Sequence, residues 1–178
     1  MRALQPPVGR LAATRQGGDE VTSCLDAATG KILWQDKYAA RAVTGAAIGM
    51  PGLGGPGPRS SPAVAEGKIC TLGVGGVLSC LDAGSGKVVW RKDSKAWPQF
   101  FTASSPIIED GKCIAYLGGR GKGEIVAYDL ASGDEKWKWE GEGPAYGSFA
   151  LMTVDGTKQL VTPTEKSLLA IGLARRVL

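Results

Sequence analysis

The 178-residue chain contains no histidine and no asparagine. Without histidine there is no Ser-His-Asp or Cys-His activation of a nucleophile, and no imidazole to ligate a metal. Four cysteines are present, but never in a C-x-x-C spacing or as an adjacent pair. The usual ligand pattern of a structural zinc site is therefore missing. No apolar run approaches the ~18 residues that cross a bilayer as a helix. The opening "MRALQPPVG" lacks the apolar core of a signal peptide. The net charge of +4 is not concentrated in a dense basic block. "KWKWE" at Lys136–Glu140 sets tryptophan beside lysine, but Trp137 belongs to the repeat described next, so no nucleic-acid partner is expected. No amphipathic stretch of helical length occurs.

What is present is repetition. "CLDAATGKILWQ" (24–35), "CLDAGSGKVVWR" (80–91) and "AYDLASGDEKWK" (127–138) align without gaps. Asp26, Asp82 and Asp129 coincide, as do Gly30, Gly86 and Gly133, and Trp34, Trp90 and Trp137. A period near 40–50 residues indicates a solenoid, propeller or array. Each Asp is placed to accept backbone N–H bonds from its own turn, and each Gly to take the left-handed position that closes it. Upstream of the later motifs lie Glu66-Gly67 and Asp110-Gly111, with Asp155-Gly156 in a fourth copy. Acidic–glycine pairs between apolar runs are hairpin signals. Each repeat then reads as four antiparallel strands, one propeller blade. The tryptophans are expected to be structural, sealing one blade against the next.

The pattern D-x-x-[TS]-G-x-x-x-W resembles the tryptophan-docking motif of the pyrroloquinoline quinone (PQQ) repeat. That repeat builds quinoprotein alcohol dehydrogenases, BamB-like envelope proteins and many PQQ-like β-propeller repeat proteins. The resemblance covers most of residues 20–174 and is specific for fold, not activity. It implies an all-β chain, an incomplete propeller of about three to four blades. A partial blade is expected at 20–36, a Gly/Pro-rich loop at 39–58, full blades at 60–92 and 104–139, and a partial blade at 147–174. Residues 1–19 show no convincing first strand. The fourth copy has Gly172 where Asp belongs, and no motif Gly or Trp follows.

The same resemblance bears on chemistry. Quinoprotein dehydrogenases hold calcium with acidic and Asn side chains and cover the quinone with adjacent paired cysteines. This chain has neither Asn nor a Cys-Cys pair, so neither PQQ nor any other cofactor is expected, and no enzymatic activity. "GGRGKGE" (118–124) departs from a phosphate loop, since Lys122 is followed by Gly. It reads as a flexible hairpin loop in which Arg120 and Lys122 face a partner. Tyr146, between the third and fourth copies, reads either as a surface contact or as a blade cap. Cys24 and Cys80 share a repeat position and should be buried. Cys70 and Cys80 would face each other across a hairpin centred on Gly75, where a disulfide is open to them if the strands pair in that register.

The expected function is a non-catalytic scaffold with an unidentified protein partner and self-association through open blade edges. The alternatives are a fragment of a PQQ-dependent dehydrogenase and an inactive remnant of a propeller. Family resemblance implies the periplasm or cell envelope; an N-terminus complete without a signal would imply the cytoplasm.

Overall fold

Two-residue turns set the strands. In Glu66-Gly67, Asp110-Gly111 and Asp155-Gly156 both residues have positive φ, 51° and 70°, 49° and 68°, and 47° and 75°. That is the type I′ geometry whose twist matches the strands it joins. In the computed structural model, which describes residues 9–40, 57–96, 98, 102–173 and 176–177, these turns open three successive antiparallel sheets. No helix occurs among the described residues.

The second sheet contains β4 (Ala63–Ala65), β5 (Lys68–Leu72), β6 (Val77–Asp82) and β7 (Val88–Asp93). The third contains β8 (Ile107–Glu109), β9 (Lys112–Gly119), β10 (Lys122–Asp129) and β11 (Glu135–Gly141). The fourth contains β12 (Ala150–Val154), β13 (Thr157–Pro163), β14 (Leu168–Gly172) and β15 (Arg176–Val177). Every sheet runs in chain order, as up-and-down blades of a partial propeller do.

The first sheet corrects one expectation. It holds β1 (Gly9–Gln16), β2 (Asp19–Asp26) and β3 (Ile32–Ala39), and β1 pairs with β2 along its full length, from Gly9↔Asp26 to Gln16↔Asp19. The strand is half exposed and sits at a sheet edge, so it carries little hydrophobic alternation. Its signal is the turn, Gly17-Gly18, with Gly17 at φ 61°. The end of the chain brings a second correction. Although the Asp-Gly-Trp motif is missing, β15 pairs Ile171↔Val177 and Gly172↔Arg176. Backbone pairing needs none of those side chains. Most of the loop expected at 39–58 lies outside the described residues, and Ala39 itself ends β3.

Packing between sheets makes the core. Cys70, Leu72, Leu78, Cys80 and Trp90 of the second sheet meet Cys113, Ala115, Leu117 and Val126 of the third. The opposite face of the third sheet, with Ile114, Tyr116, Ile125 and Trp137, meets Leu160 and Ile171 of the fourth. The central strands β9 and β10 thus bury both faces. Each such Leu or Ile contributes roughly 1.5–3 kcal/mol over an exposed position.

The seam between the first two sheets also holds a buried polar network. Glu20 is 3% exposed. Its Oε1 accepts the Val74 N–H at 2.9 Å, and Tyr38 donates its hydroxyl to Oε2. Arg91 donates from Nη2 to Asp36 Oδ2 at 2.5 Å and from Nε to Ser79 Oγ at 2.7 Å. Its guanidinium also lies 4.5 Å from the Tyr38 ring centroid. A buried carboxylate is tolerated here because its oxygens are satisfied.

A relay of serines ties the sheets together beside their first strands. Ser61 N–H donates to Ser105 Oγ, and Ser105 N–H to Ser148 Oγ, each at 2.9 Å.

Candidate functional site

The seam motif recurs with little variation. Asp26 Oδ1 accepts the N–H of Ala28 at 3.1 Å and of Thr29 at 2.7 Å, plus the Thr29 hydroxyl at 2.8 Å. Asp82 Oδ1 accepts the Ser85 N–H at 3.0 Å and hydroxyl at 2.8 Å. Asp129 Oδ1 accepts the N–H of Ala131 and of Ser132, both at 2.9 Å. The glycine closes each turn: Gly30, Gly86 and Gly133 donate to the carbonyls of Asp26, Asp82 and Asp129 at 2.8, 2.8 and 2.9 Å. All three glycines have φ between 71° and 77°. A β-bulge follows the same repeat position in each of the first three sheets, after Cys24, Cys80 and Ala127.

These hydrogen bonds stabilise the ionised carboxylate. The hydroxyl and N–H of Thr29 lower the pKa of Asp26, and those of Ser85 lower that of Asp82. For Asp129, the Ser132 N–H and then the Lys136 ammonium, 3.0 Å away, bring it down to about 2. Each carboxylate thus stays charged and occupied by its own turn.

The tryptophan of one sheet lies on the turn of the next. Trp34 Nε1 donates to the Ala83 carbonyl at 3.2 Å, and Trp90 Nε1 to the Leu130 carbonyl at 3.1 Å. The turn glycine leaves room for the indole. A Cβ on Gly86 would sit 2.5 Å from Trp34 Cδ2, and one on Gly133 would sit 2.7 Å from Trp90 Cγ. A Cβ on Gly30 would meet nothing within 4 Å.

The third tryptophan departs from this rule. Trp137 is 7% exposed, yet its Nε1 has no hydrogen-bond partner among the described residues. The fourth sheet lacks the Asp turn that supplies the acceptor in the two earlier seams. A cleft of about 500 Å³ opens there, lined by Glu135, Lys136, Trp137, Trp139, Glu140 and Ile171 among others.

The residues expected to contact a partner are dispersed. Arg120 and Gly121 alone form the turn between β9 and β10, because Gly119 pairs with Lys122. That turn is tighter than the flexible loop the sequence suggested. Gly121 N–H is held by Glu165 Oε2 of the fourth sheet at 2.8 Å. Lys122 lines a second cleft, of about 320 Å³, with Ser94, Lys95, Glu124 and Glu140. Tyr146 lies elsewhere, 41% exposed and at φ 62°.

Sequence reasoning missed the Glu20 network, the serine relay and the meeting of Cys113 with Cys70 and Cys80. The doublets Ser60-Ser61 and Ser104-Ser105 carried a usable signal for the relay. Among the described residues no three His, Cys, Asp or Glu side chains are grouped so as to hold a metal ion. The motif carboxylates sit on separate sheets and are engaged by their own turns, so this donor set does not fit a calcium-held quinone.

The family model described as "Outer membrane protein assembly factor BamB" matches residues 12–174. Among solved structures, BamB from Moraxella catarrhalis is 17% identical with a TM-score of 0.56, over 93% of this chain and 44% of that one. Quinohemoprotein alcohol dehydrogenase from Comamonas testosteroni is 19% identical with a TM-score of 0.59, over 93% and 35%. Sqt1 from Saccharomyces cerevisiae is 12% identical with a TM-score of 0.60, over 92% and 40%. At such identities the likeness extends to the fold alone. The chain spans less than half the length of each. No curated protein matches it.

Proposed function

This chain belongs to the outer membrane protein assembly factor BamB family, and from that membership we propose that it is a non-catalytic β-propeller scaffold that binds protein partners in the cell envelope. The observation that carries the reading is how the repeated polar groups are used. Asp26, Asp82 and Asp129 each serve their own turn, and Trp34 and Trp90 each serve a seam. This use of the repeated groups for turns and seams supports a structural role for them.

Association surfaces are supported at the fourth sheet. Met152, Val154 and Leu168, on the side of that sheet turned away from the third, are 42–74% exposed. In a longer propeller such a face packs on the following blade. Self-association through this open sheet is part of the proposal, as is contact of Arg120, Lys122 or Tyr146 with a partner. The dehydrogenase-fragment reading has the shared blade motif and a likeness of fold at 19% identity in its favour.

The test is the solution mass of the purified chain by light scattering, with and without added PQQ and calcium. A dimer or larger defined species indifferent to both is expected. A quinone-dependent change in mass or absorbance would overturn the non-catalytic reading. A strict monomer would overturn self-association.

A further inference from the structure

Cys70, Cys80 and Cys113 come together at the seam between the second and third sheets, each 0% exposed. Cys70 and Cys80 are direct cross-strand partners on β5 and β6. The hydrogen-bonding phase of this hairpin is fixed at both ends. Gly73 N–H donates to Val77 O at 2.8 Å, and Ala83 N–H donates to Gly67 O at 3.0 Å. Alternation between those ends makes Cys70↔Cys80 a non-hydrogen-bonded pair. In such pairs the Cα atoms lie about 4.5 Å apart and the side chains are closest. That separation falls inside the span a disulfide bridges.

Cys113 differs in kind. It stands on β9 of the facing sheet, and packed sheets lie about 10 Å apart. No strand register holds it opposite Cys70 or Cys80, as the β5–β6 ladder holds those two opposite each other. Burial nonetheless packs it in one cluster with Cys70 and Cys80, where Cys80 Sγ donates to the Leu130 carbonyl at 3.5 Å.

We propose that Cys70 and Cys80 are a modification site, oxidised to a cross-strand disulfide as the chain folds, with Cys113 kept as a reduced thiol packed over the bond. The chemistry is thiol–disulfide exchange with an oxidised dithiol or glutathione disulfide. The thiolate of one cysteine attacks the oxidant and forms a mixed disulfide, releasing one thiol. The second cysteine loses its proton and displaces the other thiol. Two protons and two electrons leave the pair, and the oxidant takes them up as two thiols. Timing follows from burial. Interaction with Cys113 and then desolvation raise the pKa of Cys70, and interaction with Cys70 and then desolvation raise that of Cys80, so both stay protonated in the folded state. The thiolate is the attacking species, so the finished fold is inert.

The experiment refolds the reduced, urea-unfolded chain in excess glutathione disulfide, alkylates it under denaturing conditions and maps the peptides. The expected product links Cys70 to Cys80, with Cys24 and Cys113 alkylated. Cys113→Ser should retain the link and Cys70→Ser should lose it. Already-folded reduced chain, given the same oxidant, should form the link at least tenfold more slowly. Complete alkylation of all four cysteines after refolding, or a Cys70–Cys113 link as the main product, would overturn the assignment. Equal rates from the folded and unfolded chains would overturn its timing.

Discussion

Gly30 and Gly86 have the same φ, 71°, in equivalent turns, but only Gly86 carries an indole from the preceding sheet. Replacing either with alanine places an L side chain in the left-handed region, at a cost of roughly 1–2 kcal/mol. At Gly30 the new methyl meets nothing within 4 Å. At Gly86 it would lie 2.5 Å from Trp34 Cδ2, so a rigid ring must shift. That overpacking adds about 1–3 kcal/mol. Losing the Trp34 hydrogen bond to Ala83 adds about 1 kcal/mol more. Gly86→Ala should therefore cost about 3–6 kcal/mol in total, against about 1–2 for Gly30→Ala. Urea unfolding measures both. With a slope near 2 kcal/mol/M, the two midpoints should differ by about 1–2 M. Adding Trp34→Ala to Gly86→Ala should recover part of the loss, as a coupling of contacting residues. Equal midpoints for the two glycine variants, or no coupling with Trp34, would refute the claim that the indole decides the difference.

Trp90→Phe removes the indole donor to the Leu130 carbonyl, which keeps the Cys80 thiol at 3.5 Å, and should cost about 0.5–1.5 kcal/mol through that bond alone, whereas Trp137→Phe removes a buried donor with no acceptor among the described residues and should cost less. Thermal unfolding of the two variants ranks them. Asp129 has its pKa depressed to about 2, so its contribution is present above the ordinary carboxylate range near 3.9 and is lost as pH falls from about 4 through about 2. The stability gap between wild type and Asp129→Asn should close across that window in an acid titration followed by fluorescence. Glu20→Ala leaves the Val74 N–H buried without its acceptor and should cost about 1–3 kcal/mol. Glu20→Gln keeps an amide oxygen for that bond, so its urea midpoint should fall between those of the wild type and the alanine variant.

What was legible beforehand is local. Asp-x-x-[Thr/Ser]-Gly fixes a turn within five residues, and Asp110-Gly111 fixes another within two. Both are matters of positive φ and short-range hydrogen bonds, which a sequence states directly. The register that sets Cys70 opposite Cys80 follows from the centre of its hairpin in the same way. What stayed hidden joins distant positions. Ser61 meets Ser105, Val74 meets Glu20, and Cys113 meets Cys70. No periodicity marks Glu20 as an acceptor, because the bond exists only after two sheets dock. The first strand escaped notice for another reason. Gly9–Gln16 is a half-exposed edge, held by backbone pairing that imposes little on its side chains.

Each seam joins unlike halves, an indole from the last strand of one sheet and an Asp-to-Gly turn from the next. Such a chain can lengthen by gene duplication only in whole units. A copied repeat brings one ring and one turn, so the new junction is complete at birth and the old ones are unchanged. A cut within a unit separates ring from turn. The fourth copy in this chain has Gly172 in place of the motif Asp, and Trp137 of the preceding sheet has a buried N–H with no acceptor among the described residues.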